Sequence, residues 1–117
     1  MGTQQAYAKV LGGVLLLVGI LGLFVGSGTL ILFNVNHPHN AVHIVSGILG
    51  LLAGFAAEGA WAKTFNRVFG VVYALVAIVG FAGVSSVVTL LNLNLADNIL
   101  HTVIAIASLG VGFGVEE

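Results

Sequence analysis

From Val10 to Phe33 the chain runs for 24 residues without a charged side chain. That exceeds the roughly 20 residues an α-helix needs to cross a hydrocarbon core about 30 Å thick. Backbone polar groups inside lipid have to be satisfied within their own segment, so the run reads as a membrane-spanning helix. Three more apolar stretches follow, at Pro38–Ala57, Val68–Leu91 and Ala96–Val115. Only seven side chains of 117 are charged, three basic and four acidic, where a soluble domain carries roughly a quarter. The surface of such a chain has to face lipid. The expected fold is all-α: one domain over residues 1–117, an integral membrane bundle of four transmembrane helices.

A removable leader is the rival explanation of the first run. The run is longer than the roughly 7–15 residues of a signal-peptide core, and no small-x-small cleavage site follows it. It is therefore expected to stay as structure. Three basic residues and a net charge of −1 leave no electrostatic footprint for nucleic acid. The absence of cysteine removes disulfides, thiolate metal sites and thiol nucleophiles.

Two polar patches interrupt the apolar runs. The first reads Asn34-Val35-Asn36-His37-Pro38-His39-Asn40-Ala41-Val42-His43, and the second Asn92-Leu93-Asn94-Leu95-Ala96-Asp97-Asn98-Ile99-Leu100-His101. Asn34, Asn36, Asn40 and His43 recur 58 residues later as Asn92, Asn94, Asn98 and His101, while His39 is replaced by Asp97. Pairing residues 6–56 with 64–114 gives 18 identities in 51 positions without a gap, and sets Lys9 against Arg67. The expectation is a tandem duplication of a two-helix unit, with repeats at 6–56 and 64–114. Two spans per unit give both halves the same orientation, with a pseudo-twofold axis along the membrane normal.

Polar patches of this kind mark water-facing turns. Asn36 and Asn94 are expected as N-caps, with Pro38 in the first turn of the second span, where its missing N–H is harmless. Asn94-x-x-Asp97 reads as a capping box. Residues 58–67 form the middle connection, with Trp61 and three charges at the interface. Lys9, Lys63 and Arg67 then fall on one side with both termini, which the positive-inside rule makes cytoplasmic. Glycines at 12, 19, 22 and 26, and again at 47, 50 and 54, allow close helix approach in lipid.

Three readings of the doubled patch stand open. In the structural one, the outer asparagines cap helices, while Asn40, His43, Asn98 and His101 are interhelical glue, contributing about 1 kcal/mol per contact. In the second, His43 and His101 converge near the bundle axis and ligate a metal ion or a haem. His37, His39 or Asp97 would then be extra ligands, with Asn40 and Asn98 behind them. In the third, the patches line a proton or solute path, which would need an oligomer. No nucleophile–base pair or phosphate loop is present. The leading expectation is a non-enzymatic membrane protein without a cofactor. It would pack laterally in the bilayer as an accessory or assembly subunit, as a homo-oligomer or with other membrane subunits.

At His39-Asn40-x-x-His43-x-x-x-Gly47, Arg67-Val68-Phe69-Gly70 and Ala96-Asp97-Asn98-x-x-His101 the chain resembles a family of small four-span bacterial membrane proteins, domain of unknown function 4383. The likeness runs from about Lys9 to Gly114. It implies four helices and an integral membrane location, and no activity.

Overall fold

The computed structural model describes residues 2–117. Five helices and one short hairpin follow in order: α1 (Thr3–Val25), β1 (Gly28–Leu30), β2 (Phe33–Val35), α2 (His37–Phe55), α3 (Ala62–Phe81), α4 (Ser85–Leu91) and α5 (Leu95–Gly114). A 3-10 turn over Ala56–Gly59 joins α2 to α3. Four of the helices, α1, α2 with this turn, α3 and α5, are long and apolar enough to cross a membrane. The fold is an all-α membrane bundle.

Two spans differ from their expected bounds. The first helix begins at Thr3 and ends at Val25, not at Val10 and Phe33. Gly26, at φ 76°, stops it, and the rest of the apolar run folds into the hairpin, with Gly28 paired to Val35 and Leu30 to Phe33. Ile31 and Leu32 form its exposed apolar tip. The third run divides likewise. Helix α3 ends at Phe81, Gly83 turns at φ 70°, and Ser85 starts the separate helix α4. Glycine tolerates positive φ at no steric cost, so it stops helices where hydropathy alone continues. The middle connection is also shorter than residues 58–67. Lys63, Phe65, Asn66 and Arg67 already belong to α3, and the reversal is made by left-handed backbone at Ala57, Glu58 and Gly59.

The helices pack as two close pairs, α1 with α2 and α3 with α5. A Cβ on Gly12 would lie 2.6 Å from the Leu51 amide nitrogen, and one on Gly70 would lie 2.9 Å from the Leu109 side chain. Lipid supplies no hydrophobic drive between helices, so contact this close supplies the dispersion that holds them. Two small apolar clusters fill the centre. Ala8, Ala53, Ala62 and Phe65 lie towards the termini, and Leu15, Tyr73, Ile104 and Ala105 lie at mid-depth.

The terminal end carries a polar network that no local sequence pattern announces. Gln4 is buried and donates from Nε2 to the carbonyls of Val111 (2.6 Å) and Val115 (3.0 Å). Asn66, fully buried, donates to the Gln4 carbonyl and to its Oε1, at 3.0 and 2.9 Å. Tyr7 and Ser108 pair their hydroxyls at 2.8 Å. Outside the helices, the Glu117 carboxylate accepts from the amides of Gln4 and Thr3, which hold its pKa below the ordinary carboxylate value. Polar side chains on α1, α3 and α5 thus tie three helices at one end. The histidines lie towards the other.

Candidate functional site: a buried three-histidine cluster

Helix α2 starts where Asn36, extended, accepts a hydrogen bond from the His39 amide at 3.0 Å on its side-chain oxygen. Pro38 follows in the first turn, where no N–H is required. From that start, helical periodicity sets His39, Asn40, His43, Ser46 and Gly47 on the buried side. Helix α5 starts on a full capping box. The Asp97 amide donates to Asn94 Oδ1 at 2.8 Å, and the Asn94 amide donates to Asp97 Oδ2 at 2.9 Å. One turn on, His101 faces inward.

The two helices bring three imidazoles together. Ring centroids are 4.5 Å apart for His39 and His43, 5.4 Å for His39 and His101, and 6.0 Å for His43 and His101. One nitrogen from each ring lies within 4.8 Å of the other two. All three side chains are at most 2% exposed. The Tyr73 ring lies 5.5 Å from His101, and Ile104 and Ala105 follow one turn deeper along α5.

Hydrogen bonding leaves the cluster unsatisfied. His39 Nδ1 lies 2.9 Å from the Leu91 carbonyl. A carbonyl only accepts, so Nδ1 carries the proton and the neutral ring keeps a bare lone pair on Nε2. That nitrogen, both nitrogens of His43 and Nδ1 of His101 are buried without a partner. A buried polar atom without a partner costs about 1–3 kcal/mol, and four of them meet in this one place. Fixing one imidazole nitrogen on a backbone carbonyl is also how metal-binding histidines are oriented.

The connections close over the cluster. Val35, Leu91 and Leu93, on these connections, are buried. Three asparagines tie one connection to the other: Asn36 Nδ2 donates to the Leu90 carbonyl (2.8 Å), Asn94 Nδ2 to that of Leu32 (3.0 Å), and Asn92 Nδ2 to that of Val35 (3.1 Å). Asn36 and Asn94 are therefore both caps and ties.

The remaining candidate residues fall elsewhere. His37 is exposed. Asp97 is buried, but its carboxylate serves the cap and is not a member of the three-ligand group. Asn40 and Asn98 do not stand behind the imidazoles. They press against glycines of the neighbouring helix, where a Cβ on Gly22 would collide with Asn40 Oδ1 and one on Gly80 with Asn98 Oδ1. The rings pack edge to face, so no plate-shaped gap for a porphyrin separates them. Sequence reasoning did not find Tyr73 or the Leu91 carbonyl. The first reads as ordinary packing in an apolar span, and a backbone oxygen has no signature.

Residues 5–114, nearly the whole chain, match the family described as Domain of unknown function (DUF4383), and the chain belongs to that family. No curated protein and no solved structure matches it.

Proposed function

We propose that this chain is a non-enzymatic, multi-pass protein of the cell membrane that holds a metal ion on His39, His43 and His101. The observation that carries this is the convergence of unpartnered, buried imidazole nitrogens, with their ligand atoms within 4.8 Å. Three imidazoles form a familiar nitrogen donor set for first-row transition metals. Nitrogens bound about 2.0 Å from one ion lie roughly 3.5 Å apart in a trigonal arrangement, so modest ring rotation closes the site. The three basic residues lie at the end that carries both termini, and we assign that end to the cytoplasm. The metal centre then lies towards the opposite face. We also read the chain as a tandem duplication, which the reciprocal bonds of Asn36 to Leu90 and Asn94 to Leu32, 58 residues apart on both sides, support.

Lateral assembly, as a homo-oligomer or with another membrane subunit, is the second reading. What favours it is an apolar groove of about 330 Å³ between α2 and α3, lined by Leu49, Leu52, Trp61, Phe65 and Val68 among others. The glycines that first suggested it mostly face inward, so they no longer speak for a partner. A solute path has least support, because Leu15, Tyr73 and Ile104 fill the core beneath the histidines.

The test is native mass spectrometry of the full chain, carrying no polyhistidine tag and extracted gently from its membrane. One metal ion per chain is expected, lost in His39→Gln and His43→Gln while circular dichroism stays helical. A chain that gains no metal when incubated with zinc, nickel or copper salts, with or without reductant, would overturn the proposal and leave a buried water as the partner of these nitrogens.

A further inference from the structure

We infer that the ion the cluster selects is monovalent, copper(I), in preference to a divalent metal; this rests on the metal-binding reading above. The first ground is charge. The donor set is three neutral imidazoles, and no carboxylate belongs to it. Asp97, the acid nearest in sequence to these ligands, is committed to the Asn94 amide. Lys9, Lys63, Arg67, Glu58, Glu116 and Glu117 belong to the terminal end of the bundle. A loaded centre therefore carries the full charge of its ion. The penalty for holding a charge in a low-dielectric interior rises with its square, so a divalent ion suffers about four times the penalty of a monovalent one.

The second ground is coordination number. His39 and His43 are four residues apart on α2, and His101 comes from α5. Tyr73 packs beside His101, the Leu91 carbonyl meets His39, and the three rings are at most 2% exposed. Zinc completes a tetrahedron with a fourth ligand, commonly water, and copper(II) and nickel(II) favour square-planar or tetragonal sites. The imidazoles themselves supply three converging nitrogens, with neither a fourth nitrogen nor a planar set. Copper(I) has a filled d shell and no ligand-field preference, and two or three neutral donors satisfy it. Thiolate and thioether are the softer donors for copper(I), and the described residues include neither cysteine nor methionine.

The third ground is enclosure. Copper(I) is oxidised where water and oxygen reach it. The Asn36, Asn92 and Asn94 ties hold the two connections together above the site, while Leu15 and Ile104 close it from below. The three ligands are buried, and the ligand group includes no carboxylate.

The experiment is an anaerobic titration of the full, untagged chain in lipid nanodiscs. Copper(I) is supplied as its bicinchoninate complex with ascorbate present, and zinc(II) is titrated in parallel against a zinc-responsive dye. One copper(I) per chain is expected, bound more tightly than zinc and lost in His43→Gln and in His101→Gln. Histidine-dependent binding of zinc at equal or higher affinity would overturn this inference and leave the metal-binding proposal standing. Binding of neither ion would overturn both. Copper(I) bound equally well by both variants would mark surface binding and also overturn both. Should either variant fail to fold, His39→Leu, which keeps an apolar side chain of similar size without a donor, reports the same loss.

Discussion

Two helices in this bundle begin on the same cap and part ways in what the third residue past it does. Both α2 and α5 start on an extended asparagine whose side chain accepts from the amide three residues on, Asn36 from His39 and Asn94 from Asp97. Both then place an asparagine against a glycine of the preceding span, Asn40 on Gly22 and Asn98 on Gly80, and a buried histidine one turn later. The third residue past the cap separates them. At α5 it is Asp97, whose carboxylate turns back to the Asn94 amide and completes the cap. At α2 it is His39, which turns sideways to the Leu91 carbonyl and offers its other nitrogen to His43 and His101. The lesson is that a helix start can commit this residue to its own backbone or to a site. One of each gives three ligands with no charge among them.

The comparison breaks most sharply if the two starts are made alike. His39→Asp should convert α2 to the α5 pattern, keep the helix and abolish metal binding, read as metal per chain by elemental mass spectrometry. The reverse change, Asp97→His, should lose the return bond of the cap, about 0.5–2 kcal/mol of stability, and add a fourth imidazole. Zinc affinity should then rise relative to copper(I), because a fourth nitrogen supplies the tetrahedron. If His39→Asp and a donor-free His39→Leu both bind metal as the native chain does, then His39 is not a ligand and the distinction between the starts has no chemical meaning.

A smaller effect tests what the two starts share. Overpacking a tight contact costs typically 1–3 kcal/mol, and an alanine at Gly22 or Gly80 would place its Cβ on the facing asparagine oxygen. Gly22→Ala should be the more damaging. Asn40 is fully buried with neither amide atom hydrogen-bonded, whereas Asn98 keeps 8% of its surface exposed and has more room to yield. Thermal unfolding in detergent should rank the variants in that order, and adding Asn40→Ala to Gly22→Ala should recover most of the loss. Equal midpoints for both alanine variants would show that the two contacts are interchangeable after all.

The elements that could be read from the sequence are those set by local chemistry. Apolar length gave four spans, and Asn36, Pro38, Asn94 and Asp97 gave two helix starts, because a cap involves residues only three apart. The meeting of His43 and His101 followed from their equivalent places after those caps. What escaped depended on distance. Gln4 and Asn66, 62 residues apart, bond to each other across the bundle, and nothing near either residue in sequence announces the other. The ends of α1 and α3 were misplaced because glycines at positions 26 and 83 stop a helix by backbone conformation, which hydropathy does not register. The repeat pattern also sets His39 behind His43 and His101, for a related reason. Comparing the two patches brings forward what they share, and His39 matters through what they do not share.

The smallest effect separates stability from chemistry at the caps themselves. Replacing an N-cap asparagine with alanine costs about 0.5–2 kcal/mol, so Asn36→Ala and Asn94→Ala should lower the unfolding midpoint by similar amounts. Each also removes one tie across the cover of the site, to Leu90 and to Leu32 respectively. Their effects on metal should diverge. Asn36 holds the amide of His39, a ligand, so its loss loosens the ring that the Leu91 carbonyl orients. Asn94 holds the amide of Asp97, which is outside the ligand group. Metal affinity should therefore fall more in Asn36→Ala than in Asn94→Ala at matched stability, measured by competition with a chromophoric chelator. If the two fall together, the ties to Leu90 and Leu32 govern the site by keeping it closed, and the identity of the third residue past the cap matters only through the ligand it supplies.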